Sequence, residues 1–325
     1  MEQRALGGSG LVVSRLALGT MTWGRDTDED DAAAQLRAFV EAGGTLVDTA
    51  DVYVEGTSER VLGRLLHDVV PREDVLVATK AHGATGSGAM GRGSSRGHLL
   101  GALEASLRRL GLDHVDLWQL HSWDPDVALE ETLAALDSAV ASGKVRYVGV
   151  SNFTGWQTAQ AATWQRAWPG RAPLVSTQME YSLLQRGVER EVLPACAALG
   201  LGLLPWSPLG RGVLTGKYRH TTPSDSRGAS SHFKGFVEEL LGPDAQRVVE
   251  AVVTAADGLG TSPLAVALAW VRDRPGVTAP VIGARTVGQL QGSLAAESVE
   301  LPKEIRAALD DVSAPALGYP EQTRS

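Results

Sequence analysis

The spacing of apolar residues changes period repeatedly along the chain. Short apolar runs alternate with longer stretches in which apolar positions recur about every 3.6 residues, the period of a helix with one buried face. The short runs cover 15–19 (RLALG), 45–48 (TLVD), 75–80 (VLVATK), 115–120 (VDLWQL), 147–151 (YVGVS), 174–178 (LVSTQ), 202–206 (GLLPW) and 279–282 (APVI). Between most of them lie helical patterns such as DEDDAAAQLRAFVEAG and RGHLLGALEASLRRLG. Gly43, Gly111, Gly143 and Gly200 stand where several of these helices should stop, because glycine accepts the left-handed conformation that closes a helix.

Eight strands alternating with helices predict a parallel sheet, and eight repeats predict its closure into a (β/α)₈ TIM barrel. The stretch before the first barrel strand, LGGSGLVVSRL, predicts an N-terminal β-hairpin turning at Gly8-Ser9-Gly10 and plugging one end of the barrel. No linker or low-complexity segment divides the 325 residues, so one domain over 1–325 is expected. Two segments break the rhythm. Residues 81–97 are rich in glycine, and 219–235 are polar. Both follow strands and should form long loops at the C-terminal face, where function concentrates.

Gly86-Ser-Gly88-Ala-Met-Gly91 matches the G-x-G-x-x-G of a dinucleotide fold letter for letter. That fingerprint works only when it leaves a strand directly and opens a helix, so that helix N–H groups meet the pyrophosphate. Here Lys80 and Gly86 are separated by five residues, and the next helix starts near Ser94 or Ser95. The match is read as a mobile loop.

The strand ends carry the candidate chemistry. They present Asp48 with Tyr53 just beyond, then Lys80, His121, Ser151-Asn152, Gln178 and Trp206-Ser207. Each alone has a bland reading: an Asp after a strand caps helices, and a lone His is more often structural. A lysine closing the apolar run VLVATK is rarer, since burying an ammonium is costly. Together the residue types suggest a relay. A phenol near pKa ~10 is a poor acid at neutral pH. A neighbouring ammonium lowers its pKa, and a carboxylate keeps that ammonium charged and in place. Asp48–Lys80–Tyr53 therefore predicts Tyr53 as general acid, with His121 donating to a substrate oxygen. Protonating an oxygen while hydride arrives at carbon is carbonyl reduction.

At this point the chain resembles the aldo-keto reductases, in particular the bacterial branch related to potassium-channel β-subunits. The resemblance rests on LALGTMTWG, LVDTADVY, ATK, LDHVDLWQLH, VGVSNF, TQMEYSLL, PWSPLGRGVLTGKY and PVIGARTVGQL, and spans nearly the whole chain. It implies a catalytic tetrad of Asp48, Tyr53, Lys80 and His121, and an NADPH lying across the barrel mouth without a Rossmann domain. Gly19, Thr20 and Met21 would lie on the cofactor side. Ser151, Asn152 and Gln178 would hold the nicotinamide carboxamide, and Trp206 would stack on the ring; a core tryptophan is the alternative for Trp206. Ser207, Pro208, Leu209, Gly210 and Gly212, with Lys217, would line the pyrophosphate. Gly283, Arg285 and Gln289 would face the adenosine. Arg227 either joins them or is a solvated loop arginine. Where the family often has Glu-Asn, this chain reads Gly292-Ser293, so adenine contacts at Ser293 are weaker or pass to Gln289. Trp23 and Trp123 either sandwich a substrate or pack beneath loops. The resemblance also keeps a second function open, that of a cofactor-bound regulatory subunit with slow turnover.

Composition narrows the partners. A net charge of −8 and a pI near 5.4 argue against a nucleic-acid surface, which needs a basic stripe. No apolar run reaches the ~18 residues of a membrane span. The one cysteine, Cys196 in VLPACAAL, has no disulfide partner within the chain and reads as a buried inert thiol. MEQRALGGSG has neither a basic nor an apolar leader region, so a cytoplasmic protein acting on a small carbonyl compound is expected, with no metal and with its oligomeric state open.

Overall fold

The computed structural model describes residues 1–319 except Ala89, Asp225 and Leu317, and the backbone of Arg227 without its side chain. The chain opens with the antiparallel pair β1 (Gln3–Ala5) and β2 (Val12–Ser14). Eight parallel strands follow: β3 (Ala17–Gly19), β4 (Leu46–Asp48), β5 (Leu76–Ala81), β6 (Val115–Leu120), β7 (Val145–Ser151), β8 (Leu174–Glu180), β9 (Gly202–Trp206) and β10 (Val281–Gly283). Each of β3 to β9 pairs with its sequence neighbour, and β10 returns to pair with β3. The ring closes through residues just before β10. Leu203 and Val277 form a parallel bridge, and Thr278 N–H donates to the Leu203 carbonyl at 2.9 Å. The eighth strand thus serves β9 first and β3 afterwards, with Pro280, which has no N–H to give, at the changeover.

Helices α1 (Glu29–Glu41), α2 (Thr57–Asp68), α3 (Arg96–Leu110), α4 (Leu129–Ala141), α5 (Gly155–Arg166) and α6 (Val192–Leu199) separate successive strands. The short α7 (Lys234–Glu238), α8 (Pro243–Leu259) and α9 (Pro263–Arg272) lie between β9 and β10, and α10 (Val287–Leu294) and α11 (Lys303–Val312) follow β10. Helix ends fall where the glycines predict. Gly111 and Gly200 are left-handed caps of α3 and α6, and Gly43 and Gly143 take positive φ one residue beyond the caps of α1 and α4. No single described helix is long and apolar enough to cross a membrane.

The hairpin is a stopper, as its sequence predicts. Leu6, Leu11 and Val13 are buried in one cluster with Ala17, Leu46, Ala78, Leu117, Val175, Leu204 and Ala279 from the barrel strands. Fully burying a leucine such as Leu6 contributes about 1.5–3 kcal/mol. Gly7 allows the fit: at φ +61, an added Cβ would sit 2.5 Å from the Gly200 carbonyl oxygen. The floor is therefore filled, and the open chemistry lies at the other end.

Candidate active site

Asp48 is the last residue of β4, and Lys80 is next to last in β5. Parallel pairing sets Asp48 opposite Ala78, with Lys80 two residues further along and on the same face of the sheet. The Lys80 side chain is wholly buried. Its Nζ donates to Asp48 Oδ2 at 2.6 Å and to the Thr49 carbonyl at 2.8 Å, and lies 3.5 Å from the Tyr53 hydroxyl. The other Asp48 oxygen accepts from Gln178 Nε2 at 2.9 Å. The His121 ring stands edge-on to that of Tyr53, with centroids 6.0 Å apart.

Burial pushes the Tyr53 phenol above its ordinary value, and the Asp48 charge adds to this, while Lys80 pulls the other way. Lys80 lowers the phenol as its charge predicts, but burial outweighs it, so the expected net lowering is corrected to a rise. In the protein without ligand Tyr53 holds its proton firmly, which is the state a proton donor needs. Burial opposes the charge on Lys80, but Asp48 and then Tyr53 outweigh it and keep the ammonium above its usual range. His121 is pushed down to about 3, by burial first and then by Lys80 and His82. A neutral imidazole follows throughout the working range. NMR of the His121 ring between pH 5 and 8 should show no protonation step, and a midpoint near the ordinary ~6.5 would contradict this environment.

The backbone around the site is strained. Five described non-glycine residues have positive φ: Val54, Glu55, Asn152, Ser207 and Arg211. Every one follows the C-terminal end of a barrel strand. Val54 and Glu55 come directly after Tyr53, and such conformations cost about 1–3 kcal/mol each, a β-branched valine being among the least suited. The turn they make carries the chain from Tyr53 into α2.

Above Tyr53 opens a cleft of about 450 Å³. Of the residues singled out in the sequence, Gly19, Met21, Asp48, Tyr53, His121, Ser151, Asn152, Gln178, Trp206, Ser207, Pro208, Leu209, Gly212, Lys217, Gly283, Arg285, Gln289 and Ser293 all line it. Trp206 Nε1 donates to Asn152 Oδ1 at 3.1 Å, and Asn152 Nδ2 donates to the His121 carbonyl at 3.0 Å, so ring and amide fix one another. Gln289 turns its side-chain oxygen back to accept from the Arg285 N–H at 3.0 Å, which leaves its nitrogen as the donor.

Several residues fall elsewhere. Trp23 is wholly buried and donates to Gln35 on α1 at 3.2 Å, so it is a core side chain and no substrate wall. Trp123 packs edge-on against Phe153 and Trp156, outside the cleft lining. Thr20 is buried beneath the cleft, bonded to Ser58 and to the Asp48 carbonyl. Gly210 lies behind the lining, where an added Cβ would meet Leu184. The side chain of Arg227 lies outside the described residues. The glycine-rich segment is no dinucleotide turn, since α3 starts only at Arg96. It folds back on itself through Thr85 N–H to the Gly91 carbonyl at 2.9 Å.

Arg211 and Phe236 line the cleft without having been anticipated. The Phe236 ring stacks on Trp206 with centroids 6.4 Å apart, and the Arg211 guanidinium lies 3.6 Å from the Phe236 ring centroid. Arg211 also holds Glu180 and Glu239, tying the end of β8 to α7. The thiol of Cys196 is buried and pushed up to about 12 by that burial, in keeping with an inert side chain. Among the described residues no group of three or more His, Cys, Asp or Glu side chains is placed to hold a metal.

Comparison with known proteins agrees with this geometry. Residues 15–314 match the model of the aldo/keto reductase family. The protein described as uncharacterized oxidoreductase YrpG of Bacillus subtilis is 38% identical, over 96% of this chain and 96% of its own length. A probable voltage-gated potassium channel subunit beta of Oryza sativa subsp. japonica is 35% identical, over 100% of this chain and 99% of its own. The aldo-keto reductase dtxS3 of Metarhizium robertsii is 35% identical, over 95% and 90%. With a barrel of this topology, this cleft, and a family match that takes in all but its ends, the chain belongs to the aldo/keto reductase family.

Proposed function

We propose that the protein is an NADP-dependent oxidoreductase that reduces the carbonyl of an aldehyde, ketone or keto-sugar to an alcohol. The observation that carries this reading is the buried Asp48–Lys80 pair held against Tyr53, whose hydroxyl opens with His121 onto the cleft. Bound nicotinamide would supply hydride. The chain's own residues do the rest. Tyr53 gives its proton to the substrate oxygen, and Lys80 stabilises the phenolate left behind. The neutral His121 ring orients that oxygen by a hydrogen bond.

The cleft suits such a cofactor. Asn152 and Gln178 present primary amides near Tyr53, the pattern that pairs with another carboxamide, and each amide nitrogen keeps a second hydrogen beyond the bond described above. Lys217 packs beside the bare backbone of Gly212. An added Cβ there would stand 3.1 Å from the Lys217 ammonium, so the bare glycine leaves that cation room to meet an anion. Arg285 directly precedes Thr286, the N-cap of α10, where backbone N–H groups favour an anion. A reducing, cytoplasmic setting belongs to the same reading and is supported by the lone buried cysteine.

Assay of purified protein with a panel of carbonyl compounds, followed by NADPH absorbance, tests the proposal. Repeated turnover supports an enzyme. A single slow turnover with tightly held cofactor would favour a regulatory subunit instead. Cofactor choice is tested at Arg285. A guanidinium can bind the adenosine 2′-phosphate through a charge-assisted contact of ~1.5–3 kcal/mol, or about ten- to a hundred-fold in affinity. Arg285→Ala should weaken NADPH by that factor and leave NADH nearly unchanged. Equal weakening of both would make Arg285 structural, and a wild type that prefers NADH would remove the assignment.

A further inference from the structure

Asp51 is the one acid of the LVDTADVY segment that the relay leaves unused. Its side chain is 2% exposed, and neither carboxyl oxygen has a hydrogen-bond partner among the described residues. Its own N–H donates to the Lys80 carbonyl, which holds the residue directly beside the catalytic lysine. The charges around it are otherwise matched. Asp48 is spent on Lys80. Glu59 on α2, wholly buried, takes Arg109 of α3 at 2.6 Å and the Thr79 hydroxyl of β5 at 2.6 Å. Two cations thus already face two carboxylates, and Asp51 is a third acid without a cation of its own. A buried carboxylate with no donor is costly, and keeping the proton is the cheaper state.

We propose that Asp51 is a positioning residue for proton transfer: a neutral carboxylic acid beside Lys80 and Tyr53 whose ionisation adds an uncompensated negative charge to the site and slows carbonyl reduction. Burial first, and then Glu59, push this acid up to about 7, against the opposing pull of Arg109, of the adjacent Val52 N–H, which approaches without completing a hydrogen bond, and of Lys80. Below pH 7 it is neutral, and above it is charged. The charge acts on Tyr53, where it raises the phenol further. In the reductive step the phenol O–H bond breaks and the proton goes to the substrate oxygen, leaving phenolate next to Lys80. An ionised Asp51 opposes that phenolate. The groups acting on Asp51 are Glu59, Arg109, the Val52 N–H and Lys80, with Asp48 and Tyr53 completing the cluster.

The inference rests on the proposed carbonyl reduction for its kinetic part, so its test has two arms. Infrared difference spectra of the free protein need no turnover. The wild type should show the carbonyl stretch of a protonated carboxylic acid that disappears between about pH 6 and 8, and Asp51→Asn should lack it. In the kinetic arm, hydride transfer is first shown to limit the rate with deuterated cofactor. Wild-type reduction should then fall about ten-fold as pH rises through 7. Asp51→Asn should remain at the upper plateau, and Asp51→Glu should restore the step. A purely structural Asp51 would lower the rate equally at every pH. A wild type without the infrared band, a band that survives in Asp51→Asn, or a pH step unchanged by that substitution overturns the proposal. If Asp51→Asn does not fold, the wild-type band and pH step still decide. A protein that shows the band but reduces no carbonyl keeps the neutral acid and loses the functional reading.

Discussion

Replacing Tyr53 by phenylalanine is expected to reduce carbonyl reduction by about 10²–10⁴-fold while the cofactor still binds, because general acid catalysis by a placed side chain is worth that much. Tyr53 is the hydroxyl nearest Lys80 Nζ that also lines the cleft, and removing it deletes one oxygen without opening the core. His121 cannot take over the task. An imidazole held neutral down to about pH 3 has an N–H to direct at an oxygen, but no readily released proton. Cofactor affinity from fluorescence titration and kcat with a good aldehyde separate the two effects. A phenylalanine variant with near-wild-type kcat would show that the proton comes from elsewhere.

The second large effect is expected at Lys80. Methionine fills much the same volume but leaves Asp48 buried with Gln178 alone for a partner. Breaking a buried pair by deleting one member costs about 3–5 kcal/mol, because the remaining charge is stranded. Urea unfolding of Lys80→Met should show a loss of that order, and pairing it with Asp48→Leu should cost less than the two losses added. Activity should fall as well, since the phenol loses the one charge that draws its proton off. A Lys80→Met protein as stable as the wild type would show that the account of the pair is wrong.

Much of the barrel was legible because its signals are local. Period changes mark the strands, glycines mark helix ends, and polar residues at strand ends mark the open face. The decoy glycines were separable for the same reason, since a fingerprint needs its strand and helix at fixed distances. What stayed hidden depends on tertiary packing. Trp23 and Trp123 are equivalent as letters, yet α1 supplies Gln35 to bury the first, while the second packs edge-on beneath Trp156. Phe236 reaches Trp206 only because α7 folds over the cleft, and a polar segment of sequence gives no sign of that. Arg211 lay inside a glycine run read for its backbone. The direction of the Tyr53 shift turned on how deeply the ring is buried, which residue types alone do not report.

The hairpin that stoppers the barrel has a kinetic corollary. With Leu6, Leu11 and Val13 filling the floor, whatever meets Tyr53 enters and leaves through one mouth. Where two reactants share one doorway, the one seated deeper is blocked once the other is in place. On the proposed reading, a cofactor seated against Arg285 and Trp206 is expected to be in place before the carbonyl compound covers it, and to depart last. Product-inhibition patterns should therefore be those of compulsory order, imposed by the route in rather than by any contact between the reactants.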